Sequence, residues 1–327
     1  MKKMISGIKP TGELHIGNYI GALRNFVKYQ DDYDMYVFIA NLHTITVPQD
    51  PIEINKYLKD AIALYLACGL DKDRSTIFLQ SDVLEHANLG FILACHTYEG
   101  ELDRMTQYKD KKAKGAEGLS AGFYTYPSLM AADILMYDAD FVPVGDDQKQ
   151  HVELTRDLAQ RMNNRYGDLF TVPEPLISEV GARIMDLQDP SRKMSKSDQS
   201  DKGCIYLLDS PKKAAKKIMS AQTDSLDQVK YDPENQAGIS NLLTIYAAIK
   251  NISLKEAEAL FTDYRYGDFK KAVAEVVVEL LETIQGRYNE IIETDIIAET
   301  LNEGKIKAQK LASAKLNKLN KTLGIQI

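Results

Sequence analysis

Met4-Ile5-Ser6-Gly7-Ile8 is a short, mostly apolar run closed by Lys9-Pro10-Thr11-Gly12, the pattern of a buried parallel strand running into a turn. Beyond the turn, Ile16, Tyr19, Ile20, Leu23, Phe26 and Val27 recur at three- and four-residue spacing. That spacing predicts an amphipathic helix with His15 and Asn18 at its start. Short apolar strands are predicted again at residues 35–40, 76–79 and 140–144. Between the first two lies a helix with Asp50 as cap, Pro51 at its first position and Glu53 to complete a capping box. Strands alternating with amphipathic helices predict a parallel α/β fold. From about residue 206 the strand signal fades. Ser210-Pro211 opens a lysine-rich helix, and residues 242–249, 254–261, 269–284 and 306–323 all read as helical. Two domains are therefore expected, residues 1–205 and 206–327, with no repeat or low-complexity linker marking the boundary.

Two segments carry candidate chemistry. The first, Thr11-Gly12-Glu13-Leu14-His15-Ile16-Gly17-Asn18, sets polar groups at a helix amino terminus, where free N–H groups and the helix dipole favour phosphate. Gly17 lets a bulky ligand approach the backbone, and His15 and Asn18 can donate to phosphoryl oxygens. The plain alternative is an ordinary strand-turn-helix cap. The second segment, Lys193-Met194-Ser195-Lys196-Ser197, lies in a small, polar and basic run at residues 190–200 that reads as a mobile loop. Two lysines with hydroxyls near them can close on a triphosphate and stabilise charge on a leaving pyrophosphate. Alone it would be a solvated basic loop. Together and in this order, the two segments build one ATP site.

Composition changes the picture little. The chain has 327 residues, 44% hydrophobic and 27% charged, enough for a sizeable core. No apolar stretch approaches the ~18 residues of a membrane span, and no signal-peptide pattern is present, so a cytoplasmic location is expected and no membrane partner. Cys68, Cys95 and Cys204 are isolated, which argues against a disulfide framework, a structural zinc site or an iron–sulfur cluster; no protein-bound metal is expected, and Cys68 and Cys95 read as core residues. The net charge of −7 speaks against a protein that coats nucleic acid, DNA included. Local lysine clusters still permit RNA contact, at Lys109, Lys111, Lys112 and Lys114, at Lys212, Lys213, Lys216 and Lys217, and along the last helix at Lys305, Lys307, Lys310, Lys315, Lys318 and Lys321.

Tyr126, Met130 and Asp133, spaced four and three apart, share one face of a helix expected to begin near Pro127. An aspartate on that apolar face needs a partner. It is either a satisfied structural carboxylate or an acceptor for a ligand donor such as an indole N–H.

With these residues on the page, the chain resembles the class I aminoacyl-tRNA synthetases, whose two signature segments flank ATP. It is similar in particular to the bacterial tryptophan-specific branch, through Ser6 to Gly12, Gly122 to Asp133, the run Pro143-Val144-Gly145-Asp146-Asp147-Gln148-Lys149-Gln150-His151, and Gly181 to Met185. Asn18 stands where the general class pattern has a second histidine, and that substitution is the usual form in this branch. The resemblance implies a Rossmann-like catalytic domain, a helical anticodon-reading domain, a helical insertion around residues 80–125 that forms a homodimer interface, and ATP with Mg2+, L-tryptophan and tRNA as ligands. His15, Asn18, Lys193 and Lys196 would be catalytic. Lys9, Pro10, Thr11, Gly17, Gly145, Asp146, Asp147, Ile184, Met194, Ser195 and Ser197 would join them around ATP. Tyr126 and Gln148 would hold the α-ammonium, Met130 would pack on the indole, and Asp133 would accept its N–H. His43 would supply one wall, and Ile5 stands where some members have an aromatic residue. Tyrosine enzymes of the same subclass typically carry glutamine where this chain has Met130, so a tyrosine-specific enzyme is the nearest alternative. A small-molecule nucleotidyltransferase would leave the carboxy-terminal helices unexplained, and noncatalytic RNA-binding paralogues commonly lose the phosphate-site residues retained here.

Overall fold

The computed structural model describes residues 1–10, 12–113, 115, 118–177, 183–195 and 201–326. Five parallel strands form one sheet: β1 (Lys3–Ile8), β2 (Asp34–Ile39), β3 (Ser75–Leu79), β4 (Phe141–Val144) and β5 (Glu174–Ile177). Their order is β3-β2-β1-β4-β5, so the chain reverses its direction of travel between β1 and β4. In an open parallel sheet that switch point leaves a crevice beyond the carboxyl ends of the two strands. Ile8-Lys9 and Val144-Gly145 leave the sheet there, and the topology alone brings these distant parts of the sequence together.

The four strands expected from apolar runs are present, each within a residue of its expected bounds. β5 was not foreseen, because Pro175 inside it and Pro173 before it read as loop. As an edge strand β5 needs ladder bonds on one side only, which is where a proline is tolerated. At the centre, Gly7 leaves room for a ring: a Cβ there would stand 2.5 Å from the Phe38 ring across the β1–β2 pairing.

The helix after β1 begins as Ile16–Asn18, widens into a π-helical stretch at Tyr19–Leu23, and resumes as Arg24–Tyr29. Ile16, Ile20, Leu23 and Phe26 are buried, so the expected apolar face is the packed one. Asp50 caps the helix Pro51–Ala67 by accepting from the N–H groups of Ile52 and Glu53. The helix carrying Tyr126 departs from expectation. It spans Ala121–Leu135, capped by Ser120, and Pro127 lies inside it. The cap satisfies the Phe123 N–H at 3.1 Å, and the buried side of the helix, with Phe123, Ala131 and Ala132, holds the proline turn in place at the loss of one helical hydrogen bond.

Residues 80–113 are helical, at Glu85–Ala94, Glu99–Asp103 and Thr106–Ala113. After β5 every helix or strand among the described residues is helical, the largest being Ala237–Lys250, Tyr266–Ile292 and Ile296–Leu323. Leu242, Ile245, Val273 and Leu281 share a continuous core with Met4, Met35 and Ile77 of the sheet. The last helix returns to cover the edge strand β3, where a Cβ at Gly304 would fall 1.8 Å from the Ile77 carbonyl oxygen. It starts at Ile296 rather than near residue 306. Of the cysteines, Cys204 is buried, Cys68 half-buried and Cys95 exposed, so the core reading of Cys95 is corrected: it follows the end of Glu85–Ala94, past the buried face of that helix. No helix among the described residues is long and apolar enough to cross a membrane.

Candidate active site at the sheet switch point

The first signature is joined by backbone to the segment that follows the second. Leu14–Ile16 pairs antiparallel with residues 205–207, just beyond the second signature, through Ile16 N–H to Ile205 carbonyl and Leu207 N–H to Leu14 carbonyl, both at 2.9 Å. At Gly17 a Cβ would stand 3.6 Å from Ile184 Cβ and 2.9 Å from the His15 ring. A side chain at position 17 would therefore press on the His15 ring and lie in ordinary contact with Ile184. Lys193 pairs across an antiparallel bridge with Met185, while Met194 is buried in the core and Ser195 half-buried. The expected loop is thus pinned at its start by the Met194 side chain. Lys196 and Ser197, like Thr11, lie outside the described residues.

His15 and Asn18 cap each other. His15 Nδ1 accepts the Gly17 N–H at 3.1 Å, and Asn18 Oδ1 accepts the His15 N–H at 3.0 Å. The ordinary cap and the phosphate reading therefore coexist. The cap commits Nδ1 as an acceptor, placing the imidazole proton on Nε2, and commits Asn18 Oδ1, leaving its amide NH2 to donate. Lys9 follows β1 half-buried, and burial together with the neighbouring Lys111 ammonium holds its amine below the ordinary lysine range. Phosphate oxygens beside both ammonium groups would relieve that repulsion. Lys111, on Thr106–Ala113, had been grouped only with the surface lysines.

A second cluster lies on the Ala121–Leu135 helix. Asp133 is 1% exposed and its two oxygens meet three donors. Oδ1 accepts from Gln80 Nε2 at 2.7 Å and His86 Nδ1 at 2.6 Å; Oδ2 accepts from His43 Nε2 at 2.8 Å and Gln80 Nε2 at 2.9 Å. Burial alone would raise this carboxyl, but hydrogen bonds from His43 and His86 bring it below its ordinary range, so it is a carboxylate. His86 passes the chain on, its Nε2 lying 2.7 Å from the Tyr137 hydroxyl. Since burial pushes Tyr137 far up, that phenol stays protonated and donates to Nε2. His43 also packs edge-on to Tyr126, with centroids 5.9 Å apart.

Tyr126 donates to Gln107 Oε1 at 3.0 Å and lies 2.6 Å from His151 Nε2. Burial pushes His151 down to about 4, so it is neutral near pH 7, and with the Tyr126 proton committed to Gln107, His151 is the donor from Nε2. Its Nδ1 is then a buried acceptor with no partner. Met130 is half-buried, and Ile5 is fully buried in the same core as Ala131 and Phe38. Gly145 opens a 3-10 turn, its carbonyl accepting from Gln148 N–H at 2.9 Å, and the Gln148 amide donates to Asp147 Oδ2 at 3.0 Å. Pro10 is buried at the mouth of β1.

The structure therefore brings His43, Tyr126 and Asp133 together, and His15, Gly17, Ile184 and the start of the second signature together. Gln80, His86, Tyr137, Gln107 and His151 were not singled out for roles. Gln80 directly follows an apolar strand and His151 closes a quoted motif, whereas His86, Tyr137 and Gln107 carry no such signal. Of the lysine clusters, Lys217 and Lys315 are packed into the fold. Lys217 is buried against the Cys204 carbonyl and Asp209, both at 2.7 Å, and Lys315 reaches Asp138 at 2.5 Å. No group of three or more His, Cys, Asp or Glu that could hold a metal ion occurs among the described residues. A hollow of about 400 Å3, lined by Ile45, Val47, Pro48 and Leu58 among others, contains no residue expected at the site.

Residues 1–282 match the family described as tRNA synthetases class I (W and Y). The chain is 52% identical over 325 residues to the tryptophan–tRNA ligase of Oceanobacillus iheyensis, covering 99% of both. Among solved structures, it is similar to tryptophanyl-tRNA synthetase from Mycoplasma pneumoniae, with a TM-score of 0.91, 38% identity and coverage of 99% of this chain and 98% of that one. It is also similar to the enzyme from Campylobacter jejuni complexed with ADP and tryptophan, with a TM-score of 0.84, 37% identity and 98% and 99% coverage. The chain belongs to the class I tRNA synthetases of the tryptophan and tyrosine family.

Proposed function

We propose that this chain activates L-tryptophan with ATP and transfers it to the 3′ end of tRNA(Trp), releasing AMP and pyrophosphate. The observation that carries the reading is the backbone pairing of Leu14–Ile16 with residues 205–207, which, with the approach of Gly17 to Ile184, sets the first segment beside the start of the second. Full-length likeness to tryptophan–tRNA ligases supports tryptophan as the amino acid.

The tryptophan carboxylate attacks the α-phosphorus, pyrophosphate leaves, and tryptophanyl-adenylate stays bound. The attacking carboxylate is ionised at neutral pH, so no general base is required. His15 through Nε2–H, Asn18 through its amide, and Lys9, Lys193 and Lys196 orient the triphosphate and stabilise charge on the leaving group. Gly17, Pro10, Thr11, Ser195 and Ser197 shape that end of the site; Ile184 and Met194 border the base, and Gly145 to Asp147 the ribose. Mg2+ carried by the nucleotide would neutralise phosphate charge there.

In the amino-acid pocket, the indole N–H takes the place of the partly exposed His43 as a donor to Asp133 Oδ2. Met130 packs on the ring, Ile5 backs the pocket from β1, and Tyr126 with Gln148 receives the ammonium. Residues 1–205 form the catalytic part and residues 206–327 the part that meets the anticodon. Exposed Leu84, Phe91 and Tyr98 suit a homodimer contact on the 80–125 segment. Charging of purified tRNA(Trp) with labelled tryptophan tests this reading. Acid-precipitable label is expected with tryptophan and not with tyrosine, and label from tyrosine alone would overturn the assignment.

A further inference from the structure

Met185 and Lys193 face each other as a pair that exchanges no hydrogen bonds: the ladder runs instead through Met194 N–H to Ile184 carbonyl at 3.0 Å and Asp186 N–H to Arg192 carbonyl at 2.9 Å. In such an antiparallel pair the N–H and C=O of each residue point away from the partner strand. On the Met185 side both are taken by one side chain. Asn241 Oδ1 accepts the Met185 N–H and Asn241 Nδ2 donates to the Met185 carbonyl, each at 2.8 Å. The amide does what a third strand would do. Asn241 is 4% exposed and sits in the helix Ala237–Lys250, whose start is fixed in turn, since a Cβ at Gly238 would fall 2.0 Å from the Gln222 carbonyl oxygen. Gln222 N–H donates to the Leu187 carbonyl at 2.7 Å, so the same ribbon is held a second time.

We infer that Asn241 is a positioning residue for Lys193: by closing both outward backbone groups of Met185 it fixes the plane of the ribbon from which Lys193 projects toward the triphosphate. The inference rests on the proposed adenylate chemistry. It assigns a role to a helix outside the nucleotide site without any contact to substrate. An alanine at 241 would leave two buried backbone groups without partners and let the ribbon tilt.

The test is a double-mutant cycle in tryptophan-dependent ATP–pyrophosphate exchange, using Asn241→Ala and Lys193→Ala singly and together. Asn241→Ala is expected to lower kcat by about tenfold or more with the KM for tryptophan within about twofold, and to cost less than about twofold further when Lys193 is already alanine. Equal losses in both backgrounds, or a loss carried by the tryptophan KM, would overturn the inference. If the alanine variant does not fold, Asn241→Asp, which keeps the acceptor and removes the donor, takes its place in the same cycle. Absence of exchange in the unaltered chain would instead overturn the function on which the inference rests.

Discussion

Asp133 is structural in its contacts, and the proposed tryptophan contact would give it a chemical role as well. Its carboxylate is charged, buried and surrounded by donors from Gln80, His43 and His86, which arrive from the segments that follow β2 and β3. Asp133→Asn keeps the shape but puts an NH2 group among those donors, at a cost of roughly 1–3 kcal/mol for an unsatisfied buried group. The expected outcome is a tryptophan KM raised at least about tenfold with the ATP KM little changed, read from exchange kinetics. An unchanged tryptophan KM would remove Asp133 from the pocket. His151 makes a different prediction. Burial depresses it from its ordinary 6.5 to about 4, so the unfolded chain takes up its proton first as pH falls. Its contribution to stability is complete above pH 6.5 and declines below it, by about 2 kcal/mol between pH 6.5 and 5. Urea midpoints across that range should fall, and His151→Gln should flatten the dependence; an equally steep decline in the variant would assign it to other groups.

At the scale of elements, the close approach of Ile296–Leu323 to β3 rests on Gly304. A methyl there meets backbone rather than a movable side chain, so the helix must shift. Gly304→Ala is expected to destabilise the chain by about 1–3 kcal/mol, lowering the thermal midpoint by several degrees, even though alanine is the better helix former. A rise in the midpoint would show that the helix slides freely on the strand. The strands buried on both faces were legible because apolar runs bounded by turn residues have few other uses, as at Met4-Ile5-Ser6-Gly7-Ile8. β5 was not legible, since its prolines argue against any strand except an edge one. The start of Ala121–Leu135 was missed because Pro127 is a strong helix-start signal, yet the Ser120 cap and the buried face decide the matter.

For the whole molecule, the site is assembled by topology. Residues 14–18 and 193–195 are far apart in sequence, and the β3-β2-β1-β4-β5 order, with the pairing of Leu14–Ile16 to residues 205–207, is the physical means that brings them near each other. The residue types of the signatures were readable, whereas their partners were not, because Gln80, His86 and Asn241 act only through contacts distant in sequence. The helices after β5 share the sheet's core and return to its edge. The most direct test of the function is ATP–pyrophosphate exchange by the purified chain without tRNA, comparing tryptophan with tyrosine. Exchange driven by tryptophan and not by tyrosine is expected. Exchange with tyrosine alone would contradict the pocket, and no exchange from folded protein would contradict adenylate formation itself.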